Sequence, residues 1–246
     1  MRDILGALLG VSRWHTNEIM PKSLRRQKTY VIGDIHGCLD QLKALMAKLS
    51  LRKTDELLFI GDYIDRGPDS KGVVEYVLEL RKQRPGKVTC LMGNHEWMLI
   101  NYLDGIDPEV WLANGGQATL ESYGGAENIP QEHLDFFYGL APFRQTDDFL
   151  FVHAGIRPGV PFEEQRTEDM LWIRREFYQH PGRFSPTIVF GHTPLRDVYN
   201  QEDRIGIDTG CVFGGKLTCL VLPGRDIIQV NGIKAQKPQA EPVEDS

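Results

Sequence analysis

The sequence predicts an α/β fold. Short β-branched and apolar runs alternate with helical patterns, and the runs stop abruptly at turn-forming glycines and polar residues. Five runs carry this reading. Tyr30–Ile32 leads into Gly33-Asp34, Leu57–Ile60 into Gly61-Asp62, Val88–Met92 into Gly93-Asn94, Phe149–Val152 into His153, and Thr187–Phe190 into Gly191-His192. Each reads as a buried strand closed by a turn.

Taken in order, residues 1–28 read as an extension. Ile4, Leu5, Leu8, Leu9 and Trp14 could line one side of a short helix ahead of the basic cluster Lys22, Arg25, Arg26 and Lys28. A poorly ordered leader is expected there, with an interfacial or partner-binding helix as the alternative. Arg2 is offset by Asp3 and no small-residue cleavage site follows, so a secretory leader is not expected. After the first strand, Leu42, Leu45, Met46 and Leu49 have helical spacing within Leu39–Leu49, and Val73–Leu80 repeats the pattern. Strand, loop and helix in this order imply βαβ units. Ile205–Asp208, Leu217–Leu222 and Ile227–Val230 follow one another without long helices, which predicts a mainly antiparallel second sheet. Ala235–Ser246, with Pro238 and Pro242, reads as a disordered tail, leaving residues 29–234 as one domain.

With 246 residues the chain has ample length for a sizeable core. A formal net charge of −6 argues against nucleic acid as partner, because such proteins carry a basic surplus. Cys38, Cys90, Cys211 and Cys219 form no CxxC pair, so a disulfide framework or zinc ribbon is not expected and a reducing cytoplasm is. No stretch approaches the roughly 20 apolar residues of a membrane-spanning helix. The sequence does not fix the oligomeric state.

Ligand sites in open α/β sheets gather at the carboxyl ends of strands. Collected there are Asp34, His36, Asp62, Asn94, His95, His153 and His192. These oxygen and nitrogen donors, with no Cys among them, suit Mn²⁺, Fe or Zn²⁺. Asp34 and His36 are two apart, so in an extended segment both would reach one ion while Ile35 points into the core. Asp62 has two carboxylate oxygens and could bridge two ions. Asp34 and Asp62 as plain helix caps are the competing reading, but capping does not account for His36 two residues after Asp34. His15, His133 and His180 are read as structural, as are Cys38 and Cys211.

The blocks GDIHG (33–37), GDYIDRG (61–67), GNHE (93–96), HAG (153–155) and GHT (191–193) resemble the five signatures of the metallophosphoesterase superfamily. The DRG and GNHE forms resemble its PPP Ser/Thr phosphatase branch, nearest the bacterial members. The resemblance runs from about Tyr30 to about Leu222. It implies a central β-sandwich flanked by helices with a dinuclear site at strand ends. It further implies that Asp34, His36 and Asp62 hold a first ion, and that Asp62, Asn94, His153 and His192 hold a second. Mn²⁺ is expected, with Fe or Zn²⁺ as alternatives.

By the same resemblance His95 is the general acid, Asp65 orients it, and Arg66 grips phosphate. Arg174 is the expected second phosphate ligand, with Arg175 the alternative and a simple salt bridge the competing reading. The physical logic is consistent: two ions about 3.5–4 Å apart activate a water and neutralise phosphate charge, His protonates a poor leaving group, and Arg fits phosphate in a bidentate way. Arg66 paired with Asp69 as surface charge is the plainer alternative. Asn114-Gly115-Gly116 reads as an ordinary loop, with a turn near the substrate mouth as the alternative. Asp208 either supports His192 or caps a turn.

Hydrolysis of phosphoserine or phosphothreonine proteins is the expected activity, with a phosphoprotein or a small phosphorylated molecule as substrate. The first alternative is a symmetrical diadenosine-tetraphosphate hydrolase. As the resemblance has it, that branch carries Ala in place of Asp65 and often GNHD in the third block. The second alternative is a non-catalytic module that binds metal and recognises phosphoproteins. The SAPNYC-like segment of eukaryotic PPP catalytic subunits has no counterpart here between His192 and Ser246.

Overall fold

The computed structural model describes residues 27–233. The expectations for the tail, and for the leader apart from Gln27 and Lys28, lie outside the described residues. The chain begins with β1 (Thr29–Ile32), α1 (Leu39–Lys48), β2 (Glu56–Phe59), α2 (Ser70–Gln83) and β3 (Val88–Cys90). A helical region follows: α3 (Asn94–Leu103), α4 (Pro108–Trp111), α5 (Gln117–Tyr123) and α6 (Gln131–Tyr138). Then come β4 (Phe143–Gln145), β5 (Phe149–Val152), α7 (Thr167–Trp172), α8 (Arg175–Tyr178), β6 (Thr187–Phe190), β7 (Tyr199–Asn200), β8 (Arg204–Gly206), β9 (Lys216–Leu222) and β10 (Asp226–Asn231).

Two mixed five-stranded sheets result, ordered β10-β9-β1-β2-β3 and β4-β5-β6-β8-β7. The period-2 alternation of the strands explains the layers. Val31, Leu58, Ile60, Phe151, Val189, Ile205, Leu220 and Leu222 share one cluster, which fills the space between the sheets. Their strand neighbours Tyr30, Ile32, Leu57, Phe59, Leu217, Cys219 and Val221 face the other way, onto the helices of the first half. On the second sheet, Leu150, Val152, Ile188 and Phe190 pack outward with Met170 and Phe177 of α7 and α8. Both faces of the central strands are buried, which is why these runs read as continuously apolar.

The helices follow the same logic. Leu42 and Leu45 are the buried stripe of α1. α2 is β-branched at Val73, Val74 and Val77, a composition that lowers helix propensity; burial of that face compensates, and Asp69 caps the first turn by accepting from Gly72 N at 2.8 Å.

One expectation is corrected. The last three strands do not make an antiparallel second sheet. β8 pairs parallel with β6 in the second sheet, while β9 and β10 form an antiparallel hairpin on the free side of β1 in the first. Spacing along the chain does not reveal that the chain crosses between sheets after β8. The consequence for the site is direct. β1, β2 and β3 run parallel, as do β5, β6 and β8, so the carboxyl ends bearing the five motifs gather on one rim.

Leu58 lies wholly buried between the sheets. Leu58→Ala should therefore lower the unfolding free energy by about 2–5 kcal/mol in urea titration. The same truncation at Ile227, 38% exposed on β10, should cost less than about 1 kcal/mol.

Candidate active site

The motif loops turn sharply where they leave their strands. His36, Asp62, Asp65, Arg66 and His192 all have left-handed backbone, with φ of 47°, 53°, 73°, 67° and 62°. Such conformations cost about 1–3 kcal/mol each for side chains other than glycine. Local hydrogen bonds hold them. Ile35 N and His36 N both donate to Asp62 O (2.9 and 2.8 Å), and His192 N donates to Asp34 Oδ2 (2.8 Å). Arg66 N donates to Gly115 O at 3.1 Å. The extended geometry expected for Asp34 and His36 is thus corrected: Ile35 does enter the core, but His36 is aimed by a left-handed turn.

Asp62 stands at the centre, 2% exposed. Its Oδ2 lies 3.4 Å from His36 Nε2 and its Oδ1 3.4 Å from His153 Nε2. Two sets of donor atoms lie within 4.8 Å of one another: His36, Asp62 and His95, and Asp62, His153 and His192. Asp62 belongs to both. Asn94 Oδ1 sits 2.9 Å from His153 Nε2 and 2.9 Å from His192 Nδ1. Asp34 stands beside these groups, joined through its bond from His192 N. There is no room for a side chain behind two of these carboxylates. A Cβ on Gly93 would strike Asp62 Oδ1, and one on Gly191 would strike Asp34 Oδ1.

The electrostatics call for a cation. Burial pushes His153 down to about 3 and holds His36 well below its usual range, so each ring carries one proton. His36 Nδ1 donates to Ile64 O (2.9 Å) and His153 Nδ1 to Ile60 O (3.1 Å), which leaves each Nε2 as a lone pair turned to the site. Asp34 and Asp62 are pushed well up, first by burial and then by neighbouring carboxylates, Asp208 and Asp62 for the one and Glu96 for the other. Asp34 Oδ1 and His192 Nε2 are buried without a hydrogen-bond partner among the described residues. Converging buried lone pairs of this kind are what a pair of divalent cations would satisfy, and the donor set fits them.

His95 has a different partner. Its Nδ1 lies 2.6 Å from Asp65 Oδ2, and the two side chains are 1% and 0% exposed. Burial pushes Asp65 up to about 7, opposed by hydrogen bonds from Thr119 and Trp111. Burial and the charges of Arg66 and Arg174 push His95 down. Arg66 Nη1 donates to His36 Nε2 at 2.9 Å, and its guanidinium lies 5.5 Å from the Phe213 ring centre. Asp69 caps α2 and makes no ion pair with Arg66 among the described residues, and the contact with His36 turns the Arg66 charge to the site. Arg174 is exposed, yet its charge is among the causes that lower His95, His153, His192 and Asp208. Asp208, pushed up by burial to about 6, caps a turn by accepting from Gly210 N at 2.9 Å. His133 is structural, its Nδ1 2.7 Å from Tyr123 Oη.

Sequence reasoning missed one organising group. The Glu96 carboxylate is fully buried and accepts from Asp62 N (2.9 Å), Tyr63 N (2.8 Å), Ile64 N (3.3 Å) and Gly93 N (3.0 Å). It ties the loop after β2 to the start of α3. Its signal was present as the third helical residue of a capping box. Trp111 and Thr119, which grip Asp65, left no such signal.

The sequence pattern of the calcineurin-like phosphoesterases matches residues 27–236. The chain is 29% identical over 234 residues to the asymmetrical bis(5'-nucleosyl)-tetraphosphatase PrpE of Oceanobacillus iheyensis, covering 82% of this chain and 92% of that one. It is 33% identical over 201 residues to serine/threonine-protein phosphatase 1 of Salmonella typhimurium, covering 77% and 89%. Among solved structures, a provisionally assigned diadenosine tetraphosphatase superposes with a TM-score of 0.68 at 28% identity, covering 85% of this chain and 95% of that chain.

Removing the Glu96 carboxylate strands four backbone N–H groups in a dry interior. Glu96→Ala should lower stability by about 2–4 kcal/mol in urea unfolding. Glu96→Gln keeps one acceptor oxygen and should lose less.

Proposed function

This chain belongs to the calcineurin-like phosphoesterase family, and we propose that within it the protein hydrolyses phosphomonoesters with alkoxide leaving groups, phosphoserine and phosphothreonine proteins first. The observation that carries this reading is the 2.6 Å contact between His95 Nδ1 and Asp65 in a buried setting. An alkoxide leaves badly unless it is protonated, and a positioned imidazole is the group suited to that task. A pure phosphoprotein binder would not need such a pair.

Asp34, His36 and Asp62 would hold one divalent ion; Asp62, Asn94, His153 and His192 would hold the other, with Mn²⁺ the expected metal. What the ions supply when bound is charge neutralisation on the phosphate and an acidified water nucleophile. Arg66 binds phosphate oxygens from the His36 side, and Arg174 assists from the His192 side. Protonated on both nitrogens, His95 delivers the Nε2 proton to the leaving oxygen and is left neutral, while Asp65 accepts from Nδ1, favours the charged ring and keeps it turned for that transfer.

A second reading is cleavage of dinucleoside tetraphosphates, favoured by relatives that carry the PrpE name. Those relatives are named asymmetrical, whereas the symmetrical reaction was the sequence-based alternative. A nucleotide leaves as a weakly basic phosphate and needs far less protonation than serine does. Turnover of phosphopeptides, small monoesters and dinucleoside tetraphosphates, compared side by side with Mn²⁺, separates the two readings. Preference for the tetraphosphate by more than tenfold in kcat/KM would overturn the monoester proposal.

Chelation should abolish activity, with Mn²⁺ restoring it. Asp62→Asn should weaken both ions and His36→Ala mainly one, as counted by elemental analysis and calorimetric titration; two tightly bound ions in Asp62→Asn would refute the bridge. His95→Asn should leave both ions bound. It should cut kcat about 10²–10⁴-fold on a phosphoserine peptide and clearly less on 4-nitrophenyl phosphate, whose leaving group is already a stable anion. Equal losses on both substrates would remove His95 from the proton-transfer role.

A further inference from the structure

The helical stretch from α4 to α5 reaches the site at a point the motifs do not explain. Asp65 Oδ2, already bonded to His95, also accepts from Trp111 Nε1 at 2.8 Å. Asp65 Oδ1 accepts from Thr119 Oγ1 at 2.6 Å. Thr119 Oγ1 accepts in turn from Asp65 N at 3.0 Å and lies 2.9 Å from Ser70 Oγ. Thr119 therefore holds Asp65 by main chain and side chain at once. Trp111 and Thr119 are 1% and 0% exposed.

On an unbroken α-helix, two residues eight apart lie about 12 Å apart along the axis and could not meet on one carboxylate. Here the helix is interrupted. Residues Leu112–Gly116 widen into a π-type turn, and Gly115 takes φ 102°. The break brings Thr119 back toward Trp111. It also presents Gly115 O to Arg66 N. A Cβ on Gly116 would come within 2.5 Å of the Trp111 ring, so the indole keeps its place only beside glycine. The Asn114-Gly115-Gly116 sequence is thus a designed break, not an ordinary loop, of the kind found where a helix serves a site.

We propose that Trp111 and Thr119 are positioning residues that fix the Asp65 carboxylate in the one orientation that aims His95 at the leaving group. The inference rests on the general-acid reading above. His95 supplies one donor to Asp65, and a carboxylate held by a single bond is free to swing. Trp111 and Thr119 remove that freedom from opposite oxygens, at a fully buried carboxylate where each bond is strong.

The test is the ratio of kcat on a phosphoserine peptide to kcat on 4-nitrophenyl phosphate, measured on the Mn²⁺-loaded full chain. The ratio cancels any fraction of protein that is inactive. Thr119→Val and Trp111→Phe should each lower it about tenfold, as loss of a hydrogen bond to a charged group does. Thr119→Ser should restore it to within about twofold of the parent. Combining either change with His95→Asn should lower the ratio no further than His95→Asn alone. An unchanged ratio in Thr119→Val and Trp111→Phe, while His95→Asn lowers it, would show that both residues merely pack and would overturn the proposal alone. An unchanged ratio in His95→Asn would overturn the acid reading and this inference with it.

Discussion

Glu96 is the constraint on which the site geometry depends. A wholly buried carboxylate is costly unless its lone pairs are occupied, and Glu96 occupies them with N–H groups of residues 62, 63, 64 and 93. Asp62, the residue whose two oxygens face His36 and His153, is placed by this bond to its own N–H. The start of α3, which carries Asn94 and His95, is placed by the same side chain. Burial pushes Glu96 up to about 7 while those backbone bonds oppose the shift. One side chain thus fixes the relative position of two motif loops that share no covalent connection shorter than a full βαβ unit.

Much of this was legible in the sequence, for definite reasons. Strands such as Leu57–Ile60 and Thr187–Phe190 are buried on both faces, and their runs end where the chain must turn. Asp62, His153 and His192 were legible because each sits directly after such a run. What was not legible depends on contacts between distant segments. The short β4 and β7 carry too few residues for a pattern. The C-terminal hairpin gives the same alternation whichever sheet it joins. His36 followed an i, i+2 rule that holds for extended chain, but the loop after β1 is bent left-handed to bond Asp62 O. Trp111 and Thr119 lie in a helical stretch, and nothing local marks them as partners of a carboxylate 46 residues away in one case and 54 in the other.

The left-handed residues cluster for a physical reason. A strand's direction carries side chains away from the rim, and a single residue at positive φ reverses the chain and turns its side chain back. Five such residues at the rim store backbone strain of about 1–3 kcal/mol each. That strain is tolerated because two sheets and a layer of helices fix the loop ends. It also keeps histidine and carboxylate groups facing one another in a dry interior, an arrangement an unconstrained chain would relax.

β1 sits between β2, its near neighbour in sequence, and β9, whose Leu222 pairs with Thr29. During synthesis, a ribosome would release β1, β2 and β3 long before β9 emerged. Until then the outer side of β1 presents bare amide and carbonyl groups beside apolar Val31 and Tyr30, the kind of open border that recruits other chains. The nascent protein therefore passes through a window in which the three motifs carried by β1, β2 and β3 exist without the strand that covers β1, and the length of that window is set by translation speed across the second sheet.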